Sequence, residues 1–195
     1  MSPDIETLVQ KISRLPGLGP RSARRIVLHL LKNKEQNLEP ILMSMKNVHE
    51  KVQVCPICFN IDTFDNCCSI CSDNRRLKDV ICIVESVADL WAIDRTSCFA
   101  GQYHVLKGLL SSIEGRGPEV LMLEHLKKRC EENNITEIIV ALSATVEGQT
   151  TELYIRNFFK DTNIKITSLA RGIPIGGELD YLDDGTLLTA FTARG

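Results

Sequence analysis

Val80-Ile81-Cys82-Ile83-Val84-Glu85-Ser86 (VICIVES, residues 80–86) is an unbroken apolar run of five residues ending on an acid. A strand wetted on one side alternates apolar and polar side chains, so a run apolar at every position belongs to a strand covered on both faces. Working outward from it, VADLWAID (87–94) has helical character and YHVLKG (103–108) reads as a second strand. PEVLMLEHLKKRCEENN (118–134) is predicted as one amphipathic helix and EIIVALS (137–143) as a third strand. EGQTTELYIRNFFKDT (147–162) predicts a further helix and IKITSLA (164–170) the last strand. Strands alternating with helices imply a parallel sheet with helices on both faces. The tail is rich in turn formers and predicts one short helix from about Asp184.

Upstream of this unit, residues 54–76 hold five of the eight cysteines and little that could form a core. Cys55 and Cys58 make one C-x2-C knuckle; Cys68 and Cys71 make another. Two knuckles present four thiolates, the tetrahedral set that zinc prefers, and the metal supplies the folding energy that so short and polar a segment lacks. Four thiolates leave no open coordination position, so one structural zinc per chain is expected. Cys67 competes with Cys68, but Cys67 and Cys71 are C-x3-C, a poorer knuckle.

Residues 1–53 predict helices. Ile5, Leu8, Val9 and Ile12 recur at helical spacing, as do Ile26, Val27, Leu30 and Leu31, and Ile41, Met45, Val48 and Val52 suggest a third helix over 40–52. Between the first two stands LPGLGPRSARR (15–25), with Pro20 placed for the first turn of the second helix. Gly17 and Gly19 permit a tight turn and close approach of another backbone. The first N–H groups of the second helix are left pointing outward, suited to a phosphate. Arg21, Arg24 and Arg25 occupy its first turns, where the macrodipole favours acids, an arrangement that makes sense if an anion is to be bound. A bare G-x-G reads equally as a plain turn beside a solvated basic face. The complete string matches the helix-hairpin-helix pattern, which grips nucleic-acid phosphates without reading sequence.

The 195 residues are 44% hydrophobic, enough for a real core, and no apolar run approaches the length of a membrane span. MSPDIETLVQK carries no apolar stretch behind a basic flank, so no secretion signal is expected and the cytosol is the expected location. There, cysteines point to metal or free thiols rather than disulfides. The net charge of −2 divides unevenly: residues 1–53 carry nine Lys/Arg against five Asp/Glu (+4), the remainder fourteen against twenty (−6). An anionic partner would meet the basic head first.

Hairpin string, four-cysteine knuckle and an α/β unit opening on VICIVES and closing on SLARGIPIGGELDYLDDGTL, in that order, resemble the RecR family of bacterial recombination mediators over essentially the whole chain. The resemblance implies a multi-domain α+β protein: a helix-hairpin-helix DNA-binding domain (1–53), a C4 zinc finger (54–76), a Toprim domain (79–174), and a C-terminal turn-helix segment (175–195) for subunit or partner contact. It implies DNA repair and recombination with RecO and RecF, as a ring-shaped tetramer able to encircle DNA at the nucleoid. The family's DNA-binding basic residues fall on Arg21 and Arg25.

Catalytic Toprim enzymes hold Mg²⁺ with a glutamate after the first strand and a D-x-D after a later one. Glu85 occupies the first place, with Asp89 nearby, but the later strand ends LSATVEG: Ser143 and Thr145 replace the aspartates, while Glu147 and Gly148 remain. Neutral hydroxyls remove two of the charges a divalent ion needs, so phosphodiester cleavage is not expected and at most a weak Mg²⁺ on Glu85 and Glu147. Glu85 and Asp89 read equally as ordinary polar groups at a strand end and a helix start. A Mg²⁺-dependent nuclease or strand-passing enzyme is the rival reading; Tyr103, Tyr154 and Tyr181 have no sequence context for a nucleophile. No phosphate-loop motif occurs, and Gly176 and Gly177 are expected to shape a turn or a subunit contact. Arg171 could serve the acidic site, a partner or a salt bridge. The four histidines, His29, His49, His104 and His125, show no metal spacing.

Overall fold

A computed structural model describes residues 1–170 and 172–192, so Arg171 lies outside the described residues. The chain divides into two compact units, Met1–Val52 and Gln53–Gly195.

The first unit is helical. α1 (Pro3–Ser13) opens on Ser2, whose hydroxyl accepts from the Ile5 N–H, with Asp4 and Glu6 in the favourable first turn. α2 (Pro20–Lys32) packs on α1 through Val9, Ala23 and Val27, flanked by Ile5, Leu8, Ile12 and Leu31. Ala23 is fully buried, its small side chain letting the two helices close together. A π-helical turn, Lys34–Leu38, runs directly into α3 (Glu39–Lys51). None of the α3 residues is buried, and Ile41, Leu42, Met43, Met45 and Val48 are exposed.

In the second unit β1 (Val52–Val54) and β2 (Ile61–Thr63) form a two-stranded sheet, followed by the single-turn α4 (Ser69–Ser72). β3 (Val80–Val84), α5 (Val87–Asp94), β4 (Gln102–Val105), α6 (Leu123–Glu132), β5 (Glu137–Ala141), α7 (Val146–Phe158) and β6 (Lys165–Ser168) follow. The four longer strands make a sheet in the order β4-β3-β5-β6, parallel throughout, with Val80 opposite Glu137 and Ile81 opposite Gln102. β3 is central, paired with β4 and β5, and packing covers both of its faces, as its continuous apolar run requires. Ile81 and Ile83 face α6 and α7 through Leu126, Cys130, Ile155 and Phe159. Cys82 and Val84 face the other way, onto α5, Tyr103 and the cysteine segment. The helix expected over 118–134 is broken: Pro118–Leu121 is a 3-10 turn, Met122 adopts a left-handed φ of 51°, and α6 starts only at Leu123. Leu121 and Leu123 thereby both reach the core.

Beyond the sheet, Gly177 N–H donates to Pro174 O across a turn whose third residue, Gly176, has φ 82°, a conformation that favours glycine. α8 (Asp184–Thr192) begins at the residue anticipated.

Candidate metal centre and nucleic-acid interface

The sulfur atoms of Cys55, Cys58, Cys68 and Cys71 all lie within 4.8 Å of one another, the only such gathering of three or more His, Cys, Asp or Glu ligand groups among the described residues. Cys58 and Cys68 are 3.4 Å apart and Cys55 and Cys71 4.0 Å. Tetrahedral zinc with bonds of about 2.3 Å sets its sulfurs about 3.8 Å apart, so the cluster fits the ion, whereas a disulfide needs about 2.05 Å. Cys68, not Cys67, supplies the fourth sulfur. Backbone N–H groups of Asn60 and Cys68 donate to the sulfurs of Cys58 and Cys55, as thiolates require. Hydrogen bonding with Cys58 draws the Cys68 pKa down, and hydrogen bonds to Cys68 and to Cys58 push Cys58 and Cys71 up.

Two local features position the cluster. Cys55 N–H donates to Asn60 O and Phe59 N–H to Cys55 O, closing the first knuckle, and Phe59 takes a left-handed φ of 63°. That conformation is unfavourable for a side chain, and packing offsets it: the Phe59 ring lies against His104 and His125, with the Lys107 ammonium 4.1 Å from its centroid. Val105 N–H donates to Cys58 O, and Trp91 donates to Asn60, so the knuckle is tied to β4 and α5. Spacing missed His104 and His125, which are remote in sequence. Burial drops the His104 pKa to about 3, so the ring is neutral. Only their positions, His104 on a strand buried at every residue and His125 half-buried on α6, could have suggested the contact.

In the first unit, Gly17 alone of the two turn glycines needs its freedom, with φ 77°. Gly19 has φ −92°, an ordinary value, and a Cβ built on it would meet nothing within 4 Å. The residue caps α2 without any side-chain hydrogen bond. Since Ala23 is the helix's first donor, to Gly19 O, the N–H groups of Arg21 and Ser22 precede the ladder and Pro20 has none. Arg21, Arg24 and Arg25 are all exposed beside this end.

At the carboxyl end of β3, Glu85 lines a cavity with Lys107 and Arg116. Burial, then the Asp89 charge, raise its pKa, and Arg116 opposes them. Asp89 closes a capping box on α5, its carboxylate accepting from the Ser86 N–H and hydroxyl. Thr145 caps α7, accepting from Gly148 N–H, and Gly148 must lack a side chain because a Cβ there would fall on Ser143 O. Glu85, Asp89 and Glu147 are not drawn into a three-carboxylate group.

The family model "RecR, helix-hairpin-helix" matches residues 5–48, "Toprim domain" residues 79–170, and "RecR, C-terminal" residues 172–194. "Recombination protein RecR" of Bartonella henselae is 53% identical over 98% of this chain and 95% of its own length. The proteins of the same name from Rhizorhabdus wittichii and Sinorhizobium fredii are 51% and 50% identical, covering 99% and 98% of this chain and 97% and 95% of their own lengths. With the helical hairpin, the four-cysteine cluster and the parallel sheet in one order along one chain, this protein belongs to the RecR family of recombination proteins.

Proposed function

We propose that the chain is a non-enzymatic, DNA-binding mediator of recombination and repair. Residues 1–53 grip duplex or single-strand phosphates through Gly17, Gly19, Arg21, Arg24 and Arg25. Residues 54–76 hold a structural zinc on Cys55, Cys58, Cys68 and Cys71, and the Toprim domain (79–174) with the segment 175–195 serves as scaffold and docking surface. The single observation that carries the reading is the arginine-flanked start of α2, whose glycine cap makes no side-chain hydrogen bond and leaves open space where a Cβ would stand. A helix start whose unpaired N–H groups attract an anion, with three exposed cations around it, suits backbone phosphate and reads no base.

Family resemblance supports RecO and RecF as partners and a ring-shaped tetramer in the cytoplasm, at the nucleoid. The apolar residues that α3 leaves exposed support self-association. A residual acidic site of Glu85, Asp89 and Glu147 holds Mg²⁺ weakly at most: Asp89 is occupied by its cap, and the aspartate places are Ser143 and Thr145.

DNA affinity measured against salt tests the reading. Binding should be indifferent to sequence, and Arg21→Ala with Arg25→Ala should flatten the log–log salt slope by roughly one unit per lost phosphate contact. A folded double variant with an unchanged slope would refute it, as would Mg²⁺-dependent nicking that copurifies with the chain and vanishes in Glu85→Gln.

A further inference from the structure

A second cavity, of about 490 Å³, opens at the amino ends of the parallel strands, opposite the edge that carries Glu85. Gln102, the first residue of β4, and Arg129 of α6 line it, with Lys78 and Lys128. Arg129 is only 7% exposed, yet none of the ion pairs among the described residues includes it. Its guanidinium donates to two neutral acceptors, Tyr103 O at 2.6 Å and Gln102 Oε1 at 3.4 Å, leaving further N–H groups of its five. Gln102 is 5% exposed, and its Nε2 is buried with no acceptor. A buried cation without a counter-charge, next to a buried donor without an acceptor, is a costly arrangement that a bound anion relieves.

Charge narrows the ligand. The lining carries Lys78, Lys128 and Arg129 against Glu132 and the Cys71 thiolate of the metal cluster, so three positive charges less two leave +1, which favours an anion such as a phosphate. Lys78 donates to the carbonyls of Cys71 and Asp73, whereas Arg129 turns to β4. Lys128 is largely exposed and pairs loosely with Glu132 at 3.7 Å. Pro56, Ile57 and Ile135 add an apolar wall, and the volume lies in the range of small-ligand sites.

We propose that this cavity is a phosphate site, with Arg129 and Gln102 as buried donors and Lys128 at the rim, taking a phosphate monoester or inorganic phosphate. The inference is independent of the DNA reading, since the cavity lies wholly in the second unit. Titration calorimetry on the whole zinc-loaded chain at fixed ionic strength tests it, using inorganic phosphate, deoxyadenosine 5′-monophosphate and deoxyadenosine. One or both phosphates should bind, and deoxyadenosine should not; the tighter of the two identifies the source. Lys128→Ala, at an exposed position, should weaken binding about two- to fivefold. Gln102→Glu, which gives Arg129 a carboxylate within the chain, should weaken it on the order of 100-fold or more while raising the melting temperature. Arg21→Ala with Arg25→Ala should leave phosphate binding intact. The proposal falls if neither phosphate binds, if deoxyadenosine binds as well as its monophosphate, if Gln102→Glu leaves the affinity unchanged, or if the hairpin double variant abolishes binding.

Discussion

At Gly17 and Gly19 two residues of one type do two different jobs. Gly17 answers to its backbone, and a β-branched side chain at φ 77° would strain the turn by about 1–3 kcal/mol, so Gly17→Val should lower stability and DNA affinity together. Gly19 has an ordinary φ and open space where a Cβ would go, so Gly19→Val should melt normally and lose only DNA affinity, its side chain standing where a phosphate must approach. Parallel melting and binding curves separate the two; an unimpaired Gly19→Val would leave the glycine without a function. Glu85 yields a prediction of its own. Burial and the Asp89 charge raise its folded pKa above the unfolded value, so its carboxylate is disfavoured by folding. The penalty is absent below the ordinary carboxylate range and complete above the raised folded pKa. Glu85→Gln should therefore stabilise the chain slightly at neutral pH and not in acid, which melting at the two pH values would show.

The cysteine knuckle is the element where spacing alone carried furthest, because C-x2-C is a turn of fixed reach and two of them dictate a tetrahedron. Cys68→Ser should release the metal and unfold residues 54–76, whereas Cys67→Ser should keep about one zinc per chain by elemental analysis. Acid should release zinc as well, since protons compete for the thiolates. The strands were equally legible: β3 is apolar throughout because both of its faces are covered. What sequence could not show was set by tertiary packing. The helical period of 118–134 runs on past Met122, but Leu121 and Leu123 both enter the core only if the chain turns left-handed between them. Phe59 gives no local sign of its φ, because the partners that hold it there, His104, His125 and Lys107, come from distant elements. Capping was only half legible, for Ser86 and Asp89 look like generic polar residues at a strand end. Asp89→Ala should cost about 1 kcal/mol in urea unfolding without affecting zinc, and a loss well beyond that would mark a role outside the cap.

On the scale of the whole molecule the two units are unequally built. The sheet buries two clusters, one on each face, whereas the first unit rests on Val9, Ala23 and Val27 with a few half-buried neighbours. A helical unit of that size is marginal by itself, and α3 leaves Ile41, Leu42, Met43, Met45 and Val48 in water. If the chain works as a ring, contact between copies is the natural way for this unit to gain stability, and mass action then ties that stability to concentration. Amide exchange over α1 to α3 should slow as protein concentration rises on the order of a hundredfold, while β3 and β5 exchange at an unchanged, slower rate. DNA should slow α2 further at any concentration, because it occupies the open helix start. The same measurement on Met45→Lys, which charges the exposed face of α3 and leaves the α1–α2 contact alone, should remove the concentration dependence and keep the fold. Exchange over α1 to α3 that is independent of concentration in the unsubstituted chain would show that these helices stand alone, and the exposed face would then play no part in assembling a ring.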